Sequence, residues 1–276
     1  MGIIIKNGKA EVMDLYIKTA QKSDETALKR LFLNSFDDTL GFVNMFFSHH
    51  FNPDYTICAY DGDRIVGEAH LLPCEICGAP AFYAYGICVD AELRGNGIGK
   101  RIMCAIKDFG KAQNAAIVLH PENADLFAFY ENSGFYPCGE WCFETHTATA
   151  PPAVLLPCSA TEYNEIRNKR FVDLLVWDDG SAEYALTQEM FFGLSAYKVI
   201  TDNREDIVLC GKDSDGVFIK ETSATKETLP AIVSAVAKKF DSADVRVLLP
   251  SGDGETVICG YGFNSPKNIY MNLLLD

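Results

Sequence analysis

One stretch limits the folds open to this chain more than any other. Residues 79–89 (APAFYAYGICV) are apolar enough for a buried strand, and residues 99–113 (GKRIMCAIKDFGKAQ) carry Ile102, Ala105, Ile106 and Phe109 at helical spacing. Between them lies RGNGIGKR, residues 94–101, with glycines at 95, 97 and 99. A strand, a glycine loop and a helix in that order aim the helix's first N–H groups, and about half a positive charge, at the loop. Glycines there permit positive φ and let backbone close on an anion. The pattern therefore reads as a phosphate cradle, or else as a glycine-rich turn with no ligand. Two nucleotide motifs fail. The P-loop lacks its first glycine, because Arg94 stands there, and Arg101 replaces its Ser or Thr. The dinucleotide fingerprint starts at Gly95 and Gly97 but meets Lys100 at its third glycine.

The flanking sequence fixes the kind of sheet. YTICAYDGDRIVGEAHLLPCEICGAPAFYAYGICVD (residues 55–90) is three extended runs separated by DGD and CGAP, which reads as an antiparallel meander. A dinucleotide fold needs its glycine loop on a parallel sheet instead. Helices are expected at SDETALKRLFLNSF, with Ser23 and Asp24 as cap candidates, and at TLGFVNMFFSHHF and ADLFAFYENSGF. AEVMDLYIKTA reads as the first strand and AAIVLH as a short buried one. After Gly139 the pattern loosens, and TATAPPAVLLP reads as a connection. Beyond it, TEYNEIRNKRFV and ETLPAIVSAVAKKF are helical, while YKVITD, EDIVLCGKDSDGVFIKETSA, ADVRVLLP and NIYMNLLLD are extended. The halves overlay as strand, helix, strand ending in Pro, then Gly-Phe (SGFYP against YGFNSP), which predicts an internal repeat and domains at 1–147 and 148–276. The glycine loop itself does not recur.

Composition excludes several classes of partner. A net charge of −14 disfavours nucleic acid and anionic membranes, which are bound through clustered Lys and Arg, and favours a cationic ligand. No apolar run approaches the ~20 residues of a membrane span, MGIIIKNGK is too short a core for a signal peptide, and Lys6 breaks the myristoylation pattern. The expected location is cytoplasmic. Ten cysteines then read as reduced thiols. Cys74-x-x-Cys77 falls at a hairpin turn, and Cys138 with Cys142 has unusual spacing for zinc, so no metal is expected.

The segment VDAELRGNGIGKRIM resembles motif A of the GNAT N-acetyltransferase superfamily, with Arg94, Gly97 and Gly99 filling its [RQ]-x-x-G-x-[GA] signature. ENADLFAFYENSGF resembles the family's motif B through Asn123, Tyr130, Gly134 and Phe135. The resemblance covers about residues 15–145, and the second half resembles the degenerate copy of tandem GNAT proteins. It implies an α/β (α+β) fold, a mixed and mostly antiparallel sheet flanked by helices, followed by a second GNAT-like domain. It also implies acetyl-CoA as cosubstrate. Arg94, Gly95, Asn96, Gly97, Ile98, Gly99 and Lys100 then hold the pyrophosphate, Ile87, Cys88 and Val89 meet pantetheine through a splayed strand edge, and Asn123 bonds the CoA arm.

The implied reaction is direct transfer of acetyl to a primary amine of a small, cationic acceptor. Tyr130 matches the family's general acid, against a plain packing role. The base is left open. Glu68 and His70 share one face of a strand, His120 ends another, and the resemblance adds the terminal Asp276; Glu68 ranks first and His120 second. Tyr83 and Tyr85 either line the acceptor pocket or pack the sheet. Ile258 replaces Tyr130 in the second copy and SATKET replaces the glycine loop, so one CoA site is expected. The C-terminal half then walls the acceptor cleft or makes a homodimer contact. The rival reading is a non-catalytic acyl-CoA sensor or scaffold.

Overall fold

The computed structural model describes residues 2–6, 9–171, 174–201, 204–250 and 252–274. Asp276 lies outside the described residues. The stretch read as one opening strand is broken at Asp14, giving a hairpin of β1 (Gly2–Lys6) and β2 (Lys9–Met13) before β3 (Leu15–Thr19). Lys22–Asp24 then form a single 3-10 turn in which the Gln21 N–H donates to Asp24 Oδ2 at 2.7 Å. Asp24 thus closes this turn, and its side chain makes no cap bond to the helix that follows, α1 (Glu25–Ser35). Thr39 caps α2 (Leu40–His50), accepting from the Phe42 N–H at 3.2 Å.

The meander follows as β4 (Thr56–Asp61), β5 (Arg64–Ile76) and β6 (Ala79–Val89). Its second turn is the two-residue Cys77-Gly78, with φ of 53° and 74°. Two positive φ values match the right-handed twist of the flanking strands. Next come α3 (Ile98–Gln113), β7 (Ala116–Leu119), α4 (Phe127–Asn132) and β8 (Tyr136–Thr147). The second half contributes β9 (Leu155–Pro157), α5 (Ala160–Arg170), β10 (Leu175–Val176), α6 (Asp179–Phe191), β11 (Ser195–Thr201), β12 (Arg204–Asp213), β13 (Gly216–Thr222), α7 (Leu229–Phe240), β14 (Asp244–Leu249) and β15 (Glu255–Phe263).

Two units divide these elements. The first comprises residues 1–136 and 261–265, the second 137–260 and 266–276. In the first, the sheet order is β3-β4-β5-β6-β7, antiparallel except for the parallel β6–β7 pair, and the end of β15 closes it: Tyr261 faces Leu119 and Phe263 faces Ile117. Gly67 of β5 faces α3, where an ideal Cβ would sit 2.7 Å from Ile102 Cδ1. Its neighbours Glu68 and His70 face away from Ala69, into rings from α1 and α2. In the second unit the order is β8-β14-β13-β12-β11-β9, with β13 and β14 parallel and α7 packed on the sheet through Ile232, Val233 and Val236.

The repeat expected from the sequence is present as β5-β6-α3-β7 and β12-β13-α7-β14. What differs is the strand after each copy. β8 follows β7 but pairs with β14, and the last residues of β15 follow β14 but pair with β7. Residues 136–147, read as part of a loosening chain, form a twelve-residue strand, and α6 was not anticipated. The expected final strand NIYMNLLLD, described to Leu274, makes one bridge, Leu174 to Tyr270, and one further backbone bond, from the Ile269 N–H to the Cys138 carbonyl at 2.7 Å; side chains hold it as well. The indoles of Trp141 and Trp177 donate to the carbonyls of Met271 and Leu273 at 3.0 and 2.7 Å. That segment is apolar because it is buried, and its alternation carries no ladder.

Both sheets carry a bulge next to the parallel pair. In β6 Ala69 opposes two residues, Gly86 and Ile87, because Glu68 pairs with Cys88 and His70 with Tyr85. Gly86 has φ +60°, and a Cβ there would lie 2.6 Å from Phe32 Cε2 and 3.3 Å from His70 Cδ2. Gly86→Ala therefore meets both backbone strain and overpacking, together about 2–4 kcal/mol. Gly78→Ala meets open space and about 1 kcal/mol of strain alone. Denaturant unfolding of the two variants should show the larger loss for Gly86→Ala.

Candidate functional site

The parallel pair is short. Ala81, Phe82 and Tyr83 oppose Ala116, Ile117 and Val118, and there the pairing ends. β6 runs on to Val89 and β7 to Leu119, so from Ala84 onward the β6 edge toward β7 carries no ladder. Backbone groups inside a fold need partners. An extended ligand with amide groups supplies them as an added strand does. One of them is already engaged: the Val89 carbonyl accepts from Arg94 Nε at 3.2 Å, tying the loop back to the strand.

The loop is built as its glycines require. Asp90 caps a 3-10 turn at Ala91–Leu93, accepting from the Glu92 N–H at 3.0 Å, and forms an ion pair with Arg64. Gly95 and Gly97 have φ of 78° and 77°, and an ideal Cβ on either meets nothing within 4 Å. Their outward faces are thus open to a ligand. Gly97 is the N-cap of α3, so the first N–H groups of a sixteen-residue helix point into this space. The Asn96 amide donates to the Leu93 carbonyl at 3.1 Å and holds the turn from within. Lys100 and Arg101 line a groove beside Gly97 with Ile17 and Cys104. These residues fit a pyrophosphate by two observations, the open cradle and the unpaired strand edge leading to it.

Gly99 draws the third element in: its Cβ position lies 3.4 Å from the Phe129 ring of α4 and 3.9 Å from Val89. Tyr130 follows Phe129 and is 7 % exposed. Burial, reinforced by the Glu122 charge, pushes its phenol up to about 12. Tyr261 of β15 lies with its ring 6.1 Å from that of Tyr130 and donates to Glu131 Oε1 at 3.0 Å. Tyr261 was not singled out from sequence, because it sits 131 positions beyond Tyr130; only the repeated Gly-Phe pointed to its segment. Asn123 caps the turn before α4, its Oδ1 accepting from the Asp125 N–H at 3.1 Å. His120 is half-buried, one residue beyond β7 on the diverging side.

Glu68 lies across the bulge from Cys88 and is fully buried. Cys58, Glu68 and Cys88 oppose one another on β4, β5 and β6. The Cys88 thiol reaches Glu68 Oε1 at 3.6 Å, and His70 Nε2 lies 3.1 Å from Oε2. Desolvation raises the Glu68 carboxyl above its ordinary range, opposed by the hydrogen bond from His70. Burial likewise pushes Cys58 to about 12 and Cys88 well up, with the Glu68 charge adding to both. Tyr83 is buried, whereas Tyr85 is half-buried and packs on Phe46 at 4.9 Å. The sequence-selected residues thus fall into a loop–α4–β6 group and a buried Glu68 group that meet at Cys88 and Val89.

The second unit repeats the geometry without the opening. Lys220 is the extra residue of its bulge, and β13 pairs with β14 only at Phe218 and Ile219. Beside the bulge, Glu221 is fully buried against Arg167, with Arg167 Nε 3.0 Å from Oε1 and 3.1 Å from Oε2, and Tyr163 donates to Oε2 at 2.7 Å. The Asn272 amide bonds the Lys220 carbonyl. Side chains of this unit therefore take up polar groups that its bulge exposes.

Residues 52–137 match the family model described as an acetyltransferase (GNAT) domain. Among solved structures, a GCN5-related N-acetyltransferase from Kribbella flavida is similar over 91 % of this chain and 71 % of its own, at 16 % identity and a TM-score of 0.66. A conserved Enterococcus faecalis protein of unknown function is similar over 91 % and 72 %, at 12 % identity and a TM-score of 0.75. A GCN5-related N-acetyltransferase from Anabaena variabilis covers 90 % and 72 %, at 14 % and 0.67. At such identities the likeness is one of fold, and it extends over both units. No curated protein matches the sequence. No helix among the described residues is long and apolar enough to cross a membrane.

The burial of the Glu68 row has a chemical readout. Cys77 and Cys104 are exposed, whereas Cys58, Cys74 and Cys88 are buried with raised thiols. Under native conditions iodoacetamide should modify Cys77 and Cys104 first, with Cys58 and Cys88 protected until unfolding, as read by peptide mass spectrometry. Rapid labelling of Cys88 contradicts the packing around Glu68.

Proposed function

We propose, from the match of residues 52–137 to the acetyltransferase (GNAT) domain model, that this chain transfers the acetyl group of acetyl-CoA to a primary amine of a small cationic acceptor. The observation that carries the reading is the continuity of the β6 stretch beyond its pairing with β7, ending at Val89, with the open cradle at Gly95 and Gly97. An extended amide-bearing arm ending in a pyrophosphate matches both parts at once. Bound there, acetyl-CoA supplies an activated acyl thioester.

The chain's residues then have separable tasks. Arg94 to Lys100 fix the phosphates through N–H groups and the α3 terminus. The Val89 N–H faces away from β5, because the N–H groups of Cys88 and Asp90 on either side of it face β5, and it can bond the thioester oxygen as negative charge grows on it. Tyr130, held protonated up to about 12, is the proton donor for the departing sulfur. The burial that raises the phenol also raises a thiolate leaving beside it, so the two stay matched. An alkylamine near pKa ~10 must shed a proton before it can attack, which is the work assigned to Glu68.

A cationic acceptor is favoured by two acidic residues just beyond α1. Ser35 hydrogen-bonds the Cys88 thiol, so the end of α1 lies at the β6 bulge, and Asp37 and Asp38 come two and three residues later. The Asp38 carboxyl is raised by partial burial and by the Asp37 charge, a pair that a cation relieves. The net charge of −14 acts in the same sense.

Calorimetric titration of acetyl-CoA into the wild type and into Gly97→Trp tests the cofactor assignment. Micromolar binding that the indole abolishes, in a variant with unchanged thermal stability, is the expected result. Absence of binding to folded wild type sinks the enzyme reading. Tyr130→Phe should keep acetyl-CoA affinity within about twofold and lose about 10²-fold or more in turnover. If the variant's behaviour is unchanged, the chain is an acyl-CoA sensor instead.

A further inference from the structure

Hydrogen-bond accounting around Glu68 settles where protons sit. The Thr56 hydroxyl has one proton and donates it to the Asn52 carbonyl at 2.9 Å. His70 Nδ1 lies 3.2 Å from the same oxygen, so Nδ1 must carry hydrogen and donate to Thr56. His70 Nε2 then faces Glu68 Oε2 at 3.1 Å with one proton between them. The other carboxyl oxygen accepts from the Cys88 thiol at 3.6 Å, and Cys88 is hydrogen-bonded to Ser35, which is only half-buried. A single file of groups therefore runs from Ser35 at the end of α1, through Cys88 on the splayed strand, to Glu68, His70 and Thr56.

The surroundings of the pair are apolar. The rings of Phe46 and Phe47 stand edge-on to His70 at 5.1 and 5.2 Å, with Phe32 at 6.3 Å. The titratable groups facing it are Cys58 from β4, Cys88 and Tyr85 from β6 and, behind Phe46, His50 from α2. In such a shell a lone carboxylate is strongly disfavoured, while a carboxyl and an imidazole sharing one proton carry no net charge.

We propose that Glu68 and His70 act as one proton acceptor for the acyl transfer, His70 being the positioning residue that holds the Glu68 carboxyl and Cys88 the port through which the proton arrives. The proposal rests on the acetyl-transfer reading and deepens it. The resting pair first releases its one shared proton, and the form that accepts is a carboxylate beside an Nδ1-protonated neutral imidazole. The acceptor nitrogen gives one proton to the Ser35 hydroxyl, whose own proton passes to the Cys88 sulfur as the thiol proton passes to Glu68 Oε1, and rotation of the carboxyl turns that proton to face Nε2. Cys88 ends as a thiol, the pair ends with one shared proton and no net charge, and that proton leaves by the same path after product departs. Transfer accordingly rises with pH through the ionisation of the pair. Thr56 fixes the tautomer that keeps Nε2 on Glu68.

The test needs no acceptor. Nitrogen-15 histidine spectra of the full chain are recorded with pH for wild type, Glu68→Gln and Thr56→Val, with and without saturating acetyl-CoA. The expected result is a wild-type His70 protonated at Nδ1, whose Nε2 resonance moves in Glu68→Gln, whose tautomer loosens in Thr56→Val, and whose ring shifts move when acetyl-CoA binds. Identical His70 spectra in wild type and Glu68→Gln, or a His70 spectrum blind to bound acetyl-CoA, overturn the proposal. Calorimetry on the same samples separates the two levels: wild type that fails to bind acetyl-CoA overturns the transfer reading itself. With spermidine as probe amine, His70→Gln should lose about tenfold or more in kcat at unchanged KM for acetyl-CoA. Its acid limb should move to higher pH, because the His70 hydrogen bond that opposes the desolvation of Glu68 is gone. A wild-type pH profile in that variant also overturns the proposal.

Discussion

One surplus residue in β6 governs the first unit. Because Ala69 opposes both Gly86 and Ile87, the strand bends where its pairing with β7 has just ended. A bulge raises local twist and re-aims the strand beyond it. The strand edge from Ala84 to Val89 is left open, and Val89 is delivered to the glycine loop, where Arg94 fastens it. The bulge also needs Phe32 and His70 to approach a backbone without a side chain, which ties α1 and the Glu68 pair to the same point. Strand edge, loop, helix terminus and buried carboxyl are consequences of one local irregularity.

The second unit shows the same kind of bulge with side chains bonded to it. Its divergence survives, but Arg167 and Glu221 meet there in a fully buried pair, and Asn272 of the C-terminal segment bonds the carbonyl of the bulge residue. Taking one partner from a buried pair typically destabilises a protein by about 3–5 kcal/mol.

The site was legible in sequence where it is local. The glycine loop, the meander, α3 and the Tyr130 helix all follow from short-range patterns, since each needs a residue type at a fixed offset. The same-face placement of Glu68 and His70 came from strand periodicity alone. Their partners did not: Thr56 precedes them by a hairpin, Cys58 and Cys88 meet Glu68 through register, and Ser35 arrives from another layer of the fold. β8 was missed because CGEWCFETHT mixes charged and apolar residues without regular alternation, and α6 because its buried residues include Tyr184, Gln188 and Glu189 as well as alanines. The apolar tail was read as a strand because burial and pairing leave similar compositions, while its fixing by Trp141 and Trp177 depends on indoles far away in the chain.

The exchange of strands between the two copies has a bearing on synthesis. The first unit takes Tyr261, Gly262 and Phe263 from near the end of the chain, and β8, made directly after β7, pairs with β14 about a hundred residues later. While a ribosome is still extending the chain, β7 has an uncovered edge and Tyr130 lacks its aromatic neighbour from β15. Neither copy can finish alone, so the nascent protein must hold an incomplete first sheet until Tyr261 to Phe263 have been made. A gene cut between the two copies divides the sequence but not the fold.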